Sequence, residues 1–268
     1  MTERVSLIVP TFNGLEHTRG LLESLRHTTE AFRLIVIDNG STDGTRELFR
    51  AFPYPYPLRY LEHDDNSSVV ASLNRAWREA KTELLCFLHN DTEMLDPEWL
   101  TKLVGAFDDA TVGMTGLYGA KRLRRNGRFV GRTIVHSLAG GPTVQAAGED
   151  VAAIDAVCMC LRRRFVEEIG GFDDAYTFFH GLDKDLSLAV RERGLRCRVV
   201  RATFRHHGGG TRAREFERDA ERRQRDLALR AAATKRLVEK WGHRLPSDAR
   251  SVAGRVREWF GSRYSGRP

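Results

Sequence analysis

Leu84-Leu85-Cys86-Phe87-Leu88-His89-Asn90-Asp91 is five apolar residues followed by three polar ones. A short apolar run of this kind reads as a strand buried on both faces. Downstream, Pro97–Phe107 has a helical pattern, with Pro97 in its first turn. Three similar units precede it. Val5–Val9 ends in Pro10 and leads to Leu15, Leu21, Leu22 and Leu25 at helical spacing. Leu34–Ile37 leads to a helix over Thr42–Phe52, with Ser41 or Thr42 as its N-cap. Leu58–Leu61 leads to a helix from about Ser67 to Ala80. Repeated strand–helix units predict an α/β fold whose central sheet is mostly parallel and flanked by helices. Ligands of such sheets collect beyond the carboxyl ends of the strands. Those ends read Pro10-Thr11-Phe12-Asn13, Asp38-Asn39-Gly40-Ser41 and His89-Asn90-Asp91, all rich in polar side chains.

The second half is less regular. Val112–Tyr118, Phe129–Val135, Val151–Leu161 and Cys197–Phe204 read as strands, and Arg162–Ile169 and Leu182–Arg193 as helices. The basic stretch Lys121–Arg125 reads as an exposed turn, and Ser137–Glu149 as a mobile Gly/Ala-rich loop. A charge-laced helix is expected from about Arg212 to Trp241, then an amphipathic one from Ser247 to Phe260. The resulting division is a main body over 1–211, in two halves (1–110 and 111–211). A basic helical extension over 212–268 completes it.

The 268 residues carry a net charge of +7. Residues 201–268 hold 18 Lys/Arg against 8 Asp/Glu, while residues 1–200 hold 25 against 28, so the basicity belongs to the extension. Its charge suits an anionic membrane surface or another acidic partner, and equally a solvated helix face. The amphipathic segment suits a membrane interface, its own domain or a homodimer partner. Four scattered cysteines make no disulfide framework; Cys158 and Cys160 read as packing residues on one strand face. No run reaches the ~18 apolar residues of a membrane span. MTERVSLIV lacks a signal peptide's apolar stretch. A cytoplasmic protein is expected, with peripheral contact at the inner membrane face as an option.

Several polar clusters carry chemistry. The Asp91 carboxylate at a strand end can hold a hard cation, Mg2+ or Mn2+, that bridges a nucleotide's phosphates. By local spacing alone it reads as a cap. Asp38 can accept a hydrogen bond from a base imino group, as uracil or thymine would offer, or can serve the turn Asn39–Gly44. Asp183 and Asp185 after Phe179-His180-Gly181-Leu182 offer a general base for an incoming hydroxyl, or plain N-capping. His206, ahead of His207-Gly208-Gly209-Gly210, can ligate a metal or touch a phosphate, though a loop histidine is more often unliganded.

In this order, from about Ser6 to Thr211, the clusters resemble the family-2 glycosyltransferases, inverting enzymes with the A-type nucleotide-sugar fold. The pattern looks most like bacterial rhamnosyltransferase-like members. The resemblance implies that Pro10, Thr11, Phe12 and Asn13 wrap the nucleotide and that Asp38 reads its base. Asn66, Ser68 and Asn74 stand where the family has N-x-G-x5-N, with Ser68 for glycine. Asn90 and Asp91 keep the last carboxylate of the D-x-D motif, His89 standing where a first aspartate would, and His206 supports the metal and diphosphate. Gly170-Gly171-Phe172-Asp173 matches the motif preceding the acceptor side. Asp183 becomes the catalytic base. Leu182 replaces the usual glutamate of G-E-D-x-D, and Asp185, Leu182, Phe179 and His180 fall on the acceptor side.

The implied activity is transfer of a sugar from a UDP- or dTDP-sugar to a hydroxyl acceptor, a glycan or lipid-linked saccharide, in glycan assembly. The alternative is a non-catalytic nucleotide-sugar-binding or scaffolding module, favoured by Leu182 and Ser68. A dinucleotide dehydrogenase would show G-x-G-x-x-G after the first strand, and a P-loop enzyme G-x4-G-K-[ST]; neither is present. Nucleic acid is not an expected partner, because the arginines are not interleaved with stacking aromatics.

Overall fold

Val5–Thr11 (β1) sits between two parallel neighbours, Phe32–Asp38 (β2) and Leu84–Leu88 (β4), while Leu58–Glu62 (β3) extends the sheet beyond β2. This computed structural model describes residues 3–66, 68–135, 143–145, 148–176, 178–208 and 219–249. Alternate residues of the central strands feed two cores, as the two-residue period of a strand requires. Ile8, Ile35, Ile37, Leu85 and Phe87 pack on one face with Val70, Leu73 and Trp77 of the helix Val69–Glu79 (α3). Leu7, Val9, Leu34, Val36 and Leu88 pack on the other with Leu21, Leu22 and Leu25 of Leu15–Leu25 (α1). Leu48 and Phe49 of Thr45–Ala51 (α2) and Leu100 and Leu103 of Trp99–Gly105 (α4) complete that second layer.

The second half supplies the rest of an eight-stranded sheet, through Val112–Gly116 (β6), Glu149–Val151 (β11), Cys158–Arg162 (β13) and Arg196–Val199 (β14). Its order is β11-β14-β6-β13-β4-β1-β2-β3. β13 and β11 pair antiparallel with their neighbours, and the remaining pairs are parallel. Two smaller sheets flank it. Thr92–Met94 (β5), Thr203–His206 (β15), Thr143–Gln145 (β10) and Ile134–Val135 (β9) form one. Ala153–Ile154 (β12), Gly119–Leu123 (β7), Phe129–Arg132 (β8) and Ser247–Asp248 (β16) form the other.

Several expected elements are divided, two of them where a polar side chain finds a local partner. The run Val151–Leu161 becomes three strands, because the chain turns at Asp155: its amide bonds Tyr118 O at 2.9 Å and its carboxylate accepts from Val157 N at 3.2 Å. Phe129–Val135 breaks at Thr133, whose hydroxyl accepts from Gly119 N at 3.3 Å. Cys197–Phe204 becomes β14 and β15 in different sheets. Lys121–Leu123 is not a turn: it belongs to β7, with Leu123 buried, and only Arg124 and Arg125 fall outside the strand. Neither Ser41 nor Thr42 caps α2, which begins after Gly44 in the left-handed region (φ +89). Pro97 precedes α4, in a turn where Asp96 accepts from Glu98 N at 3.0 Å.

The helix Ala220–Trp241 (α7) lies within the expected extension, yet Ala233, Leu237 and Trp241 join the same core as Leu182 and Leu186 of Leu182–Glu192 (α6). The expected boundary at 211–212 falls among residues outside the described ones. Ser247–Asp248 is a strand pairing with Leu123 and Arg122, which corrects the start of the expected second amphipathic helix. Residues 250–260 of that helix, and most of the 137–149 loop, lie outside the described residues. All four cysteines are buried and free, with Cys86 Sγ 3.6 Å from Cys158 Sγ. Among the described residues no helix is long and apolar enough to cross a membrane.

Asn74 and Gly171 tie α3 to the second half. The Asn74 amide donates to Phe172 O and Asp174 Oδ1, both at 2.9 Å. Its oxygen accepts from Phe172 N at 2.9 Å and Trp77 Nε1 at 3.0 Å. Gly171 has φ +93, and a Cβ there would strike Asn74 Oδ1 and come within 2.7 Å of Trp77 Nε1. Gly171→Ala should therefore lower unfolding free energy by about 2 kcal/mol or more, read by urea denaturation; an unchanged midpoint would refute this clamp. Asp173 pairs with Arg236 at 2.7 Å and Lys240 at 2.9 Å. Burial works against the ionised carboxylate, but the Lys240 and Arg236 hydrogen bonds outweigh it and lower its pKa from 3.8 to about 2. A depressed pKa contributes stability that is complete above about pH 4 and fades as pH falls through about 2. Acid titration of stability should show this component in the wild type and lose it in Asp173→Asn.

Candidate active site

A cavity of about 280 Å3 opens at the carboxyl ends of β1 and β4. The chain leaves β1 toward β2 on one side and returns in β4 on the other, so this is the topological switch point of the sheet. Pro10, Thr11 and Phe12 line it from β1, and Asn90 and Asp91 from the turn after β4. The loop after β1 is held in place by its neighbours. Asn13 has φ +54; its amide donates to Ser41 Oγ at 2.8 Å and its side-chain oxygen accepts from Thr42 N at 2.8 Å. Asn90 Nδ2 crosses from β4 to donate to Thr18 Oγ1 at 3.0 Å and Thr11 Oγ1 at 3.3 Å.

Asp38 is buried and does not line the cavity. Oδ1 accepts from Ser41 N at 2.9 Å and Ser41 Oγ at 2.6 Å, and Oδ2 from the Tyr60 hydroxyl at 2.5 Å. Burial, then this bond to Asp38, raises the Tyr60 pKa, so the phenol stays protonated as a donor. Asn39, which sequence reasoning passed over, lines the cavity instead. Asn66 also lines it, and its Oδ1 is buried without a hydrogen-bond partner among the described residues. Ser68 is the N-cap of α3, accepting from Ala71 N at 3.2 Å, and Asn74 lies in the clamp on Phe172. Neither lines the cavity.

His206 reaches Asp91 through strand pairing. β15 runs antiparallel to β5 with His206 opposite Thr92, and His207 N donates to Asp91 O at 3.0 Å. His206 Nε2 then lies 3.2 Å from Asp91 Oδ1, and His89 Nδ1 lies 3.8 Å from the same oxygen. Ligand atoms of His89, Asp91 and His206 all fall within 4.8 Å of one another. Surrounding protein lowers the His89 pKa to about 4, against the pull of Asp91, so its ring is neutral near pH 7. Burial opposes ionisation of Asp91, but the hydrogen bond and charge of His206, with His89 and His17 beyond, hold its pKa below the ordinary carboxylate range. An ionised carboxylate beside a neutral imidazole suits a divalent cation. His89 thus joins the donor set that sequence alone limited to Asp91 and His206.

Asp183 lies in the first turn of α6, whose N-cap is Gly181 (φ +87), and accepts from Lys184 N at 2.9 Å. Burial raises its pKa; Lys184 opposes this and the nearby Asp155 carboxylate reinforces it. Asp155 is raised as well, chiefly by burial. Their neighbours Leu182 and Ala156 line the cavity. Asp155 was missed by sequence reasoning, although a lone acid inside the apolar run Val151–Leu161 was its signal. Phe179 lines the cavity with Leu182. His180 and Asp185 point elsewhere: His180 Nε2 lies 2.9 Å from Asp226, and buried Asp185 accepts from Trp241 Nε1 at 2.6 Å and the Tyr176 hydroxyl at 3.1 Å. Both hold the C-terminal helix.

The model of the family described as "Glycosyl transferase family 2" matches residues 6–170. The chain is 30% identical over 230 residues to the O-antigen biosynthesis protein RfbC of Myxococcus xanthus, covering 79% of this chain and 18% of that protein. It is similar in fold to the mannosyltransferase PcManGT from Pyrobaculum calidifontis in complex with GDP-Man and Mn2+. There the TM-score is 0.57 and identity 18%, over 98% of this chain and 80% of that one. A second similar structure is Staphylococcus aureus TarS 1-349 in complex with UDP-GlcNAc. Its TM-score is 0.56 and identity 19%, over 75% of this chain and 57% of that one. The chain thus spans less than a fifth of the RfbC relative's length.

Proposed function

Because the chain belongs to glycosyl transferase family 2, we propose that it moves a sugar with inversion from a UDP- or dTDP-sugar to a hydroxyl acceptor, in glycan or polysaccharide assembly. One observation carries the reading. A three-donor group, His89, Asp91 and His206, stands at the switch-point cavity, and the raised-pKa carboxylate Asp183 directly follows Leu182 of its wall.

His89, Asp91 and His206 would hold the cation, and two imidazoles in the set favour Mn2+ over Mg2+, which prefers oxygen. When bound, such an ion supplies positive charge against the diphosphate of the leaving group. Pro10, Thr11 and Phe12, with Asn39 and Asn66, offer the nucleotide a wall of backbone and amide groups. The unpartnered Asn66 Oδ1 is a ready acceptor for a ribose hydroxyl or a base N–H. For Asp38 to read a base imino group as well, Oδ2 would have to accept a second bond beside Tyr60. Asp183 takes the proton of the acceptor hydroxyl as its oxygen bonds the anomeric carbon. The bond from that carbon to the diphosphate oxygen breaks on the opposite face. A pKa raised by burial brings this base nearer its working pH.

The second reading, a nucleotide-sugar-binding module without transfer, is favoured by Leu182, an apolar side chain where the family carries glutamate. Incubation with a panel of UDP- and dTDP-sugars and Mn2+, following nucleoside diphosphate release, separates the two. Turnover supports transfer, and binding without turnover supports the module. Asp183→Asn should leave UDP affinity within about twofold and lower transfer by about 10²–10⁴-fold; normal turnover would remove Asp183 as the base. His206→Ala should weaken Mn2+-dependent UDP binding by at least about tenfold in calorimetry, and unchanged affinity would sink the proposed metal set.

A further inference from the structure

The segment 178–181 joins the cavity wall to the start of α6, and its backbone is strained. Phe178 has φ +64, a left-handed conformation that a bulky side chain adopts only under constraint from its surroundings. Gly181 follows at φ +87, where a Cβ would come within 2.9 Å of the Tyr176 ring. The next residues are Leu182, which lines the cavity, and Asp183.

Helix α7 grips this segment on both sides. Asp226 is 3% exposed on a helix whose neighbouring positions face solvent, and its carboxylate lies 2.9 Å from His180 Nε2. Its other oxygen pairs with Arg230 at 2.9 Å. One helical stretch further on, Trp241 Nε1 and Lys240 Nζ bond the buried Asp185 at 2.6 and 3.0 Å. Between them Ala233 stands beside Gly181. Burying a carboxylate is costly unless it is paired. An apolar residue at 226 could pack there but could not bond His180.

We propose that Asp226 is a positioning residue for transfer: bonded to His180, it holds the Phe178–Gly181 turn in its strained form. That turn sets Phe179 and Leu182 in the cavity wall and Asp183 at the head of α6. The proposal rests on the transferase reading only for the role of Asp183. The helix contacts named above come from residues beyond 170, where the match to the family model ends.

The test compares Asp226→Leu, near-isosteric but unable to bond His180, and Trp241→Phe as a second variant that keeps an aromatic ring, with wild type in hydrogen–deuterium exchange and kinetics. Exchange in peptides spanning 178–186 should rise at least fivefold while peptides spanning 84–94 stay unchanged. UDP affinity with Mn2+ should stay within twofold, and kcat should fall at least tenfold with little change in donor KM. Wild-type exchange in 178–186 in both variants would overturn the proposal. So would a uniform rise across the chain with equally weakened UDP binding, the mark of general loosening. A wild type that transfers no sugar would sink the transferase reading, and the exchange result would still decide whether the helix holds the turn.

Discussion

The site depends on β1 being flanked by parallel strands on both sides. Pairing with β2 and with β4 consumes its backbone hydrogen bonds and buries Leu7, Ile8 and Val9 completely or nearly so. The chain must leave β1 toward β2 and come back on the far side into β4. Loops at the carboxyl ends therefore part there, and a crevice forms without any side chain having to open it. The polar residues at those ends are not competing for the core. They face the one place in the sheet where a ligand can meet both strands.

Electrostatics then sorts the charged groups of that crevice. Burial alone would push carboxylates up and imidazoles down. His89 and Asp183 follow that rule, which leaves a neutral ring and a more basic carboxylate. Asp91 defies it, because His206 and His89 stand within 4 Å. Asp91 is thus held ionised, while Asp183 holds a proton more tightly than an ordinary carboxylate does. Asp91 differs from the other two through its neighbours.

Part of the C-terminal basic charge is engaged within the fold. Arg236 and Lys240 are committed to Asp173, Lys240 also to Asp185, and Arg244 to Glu192. Within α7, Arg236 and Lys240 thus pair with acids of the chain's second half. Over Ala220–Trp241 the helix also shares a core with α6, through Ala233, Leu237 and Trp241.

Much of the fold was legible in the sequence because strands buried on both faces leave continuous apolar runs, and helices over them leave a longer period. Val5–Val9, Leu34–Ile37 and Leu84–Leu88 could be read that way without ambiguity. Val151–Leu161 could not, since the hydrogen bonds that break it at Asp155 come from Tyr118 and from the turn itself, and apolar periodicity does not record them. The order of motifs identified Asp91, Asp183 and His206 as a set. Sequence by itself determined the strand–helix series and which side chains were available at the strand ends. Only the tertiary structure decided which of them meet. The register that sets His206 opposite Thr92 joins residues more than a hundred positions apart, so it added His89 to the donor set. The same long-range packing assigned Asn74, His180 and Asp185 to holding the framework, because their polar atoms are engaged by Phe172, Asp226 and Trp241.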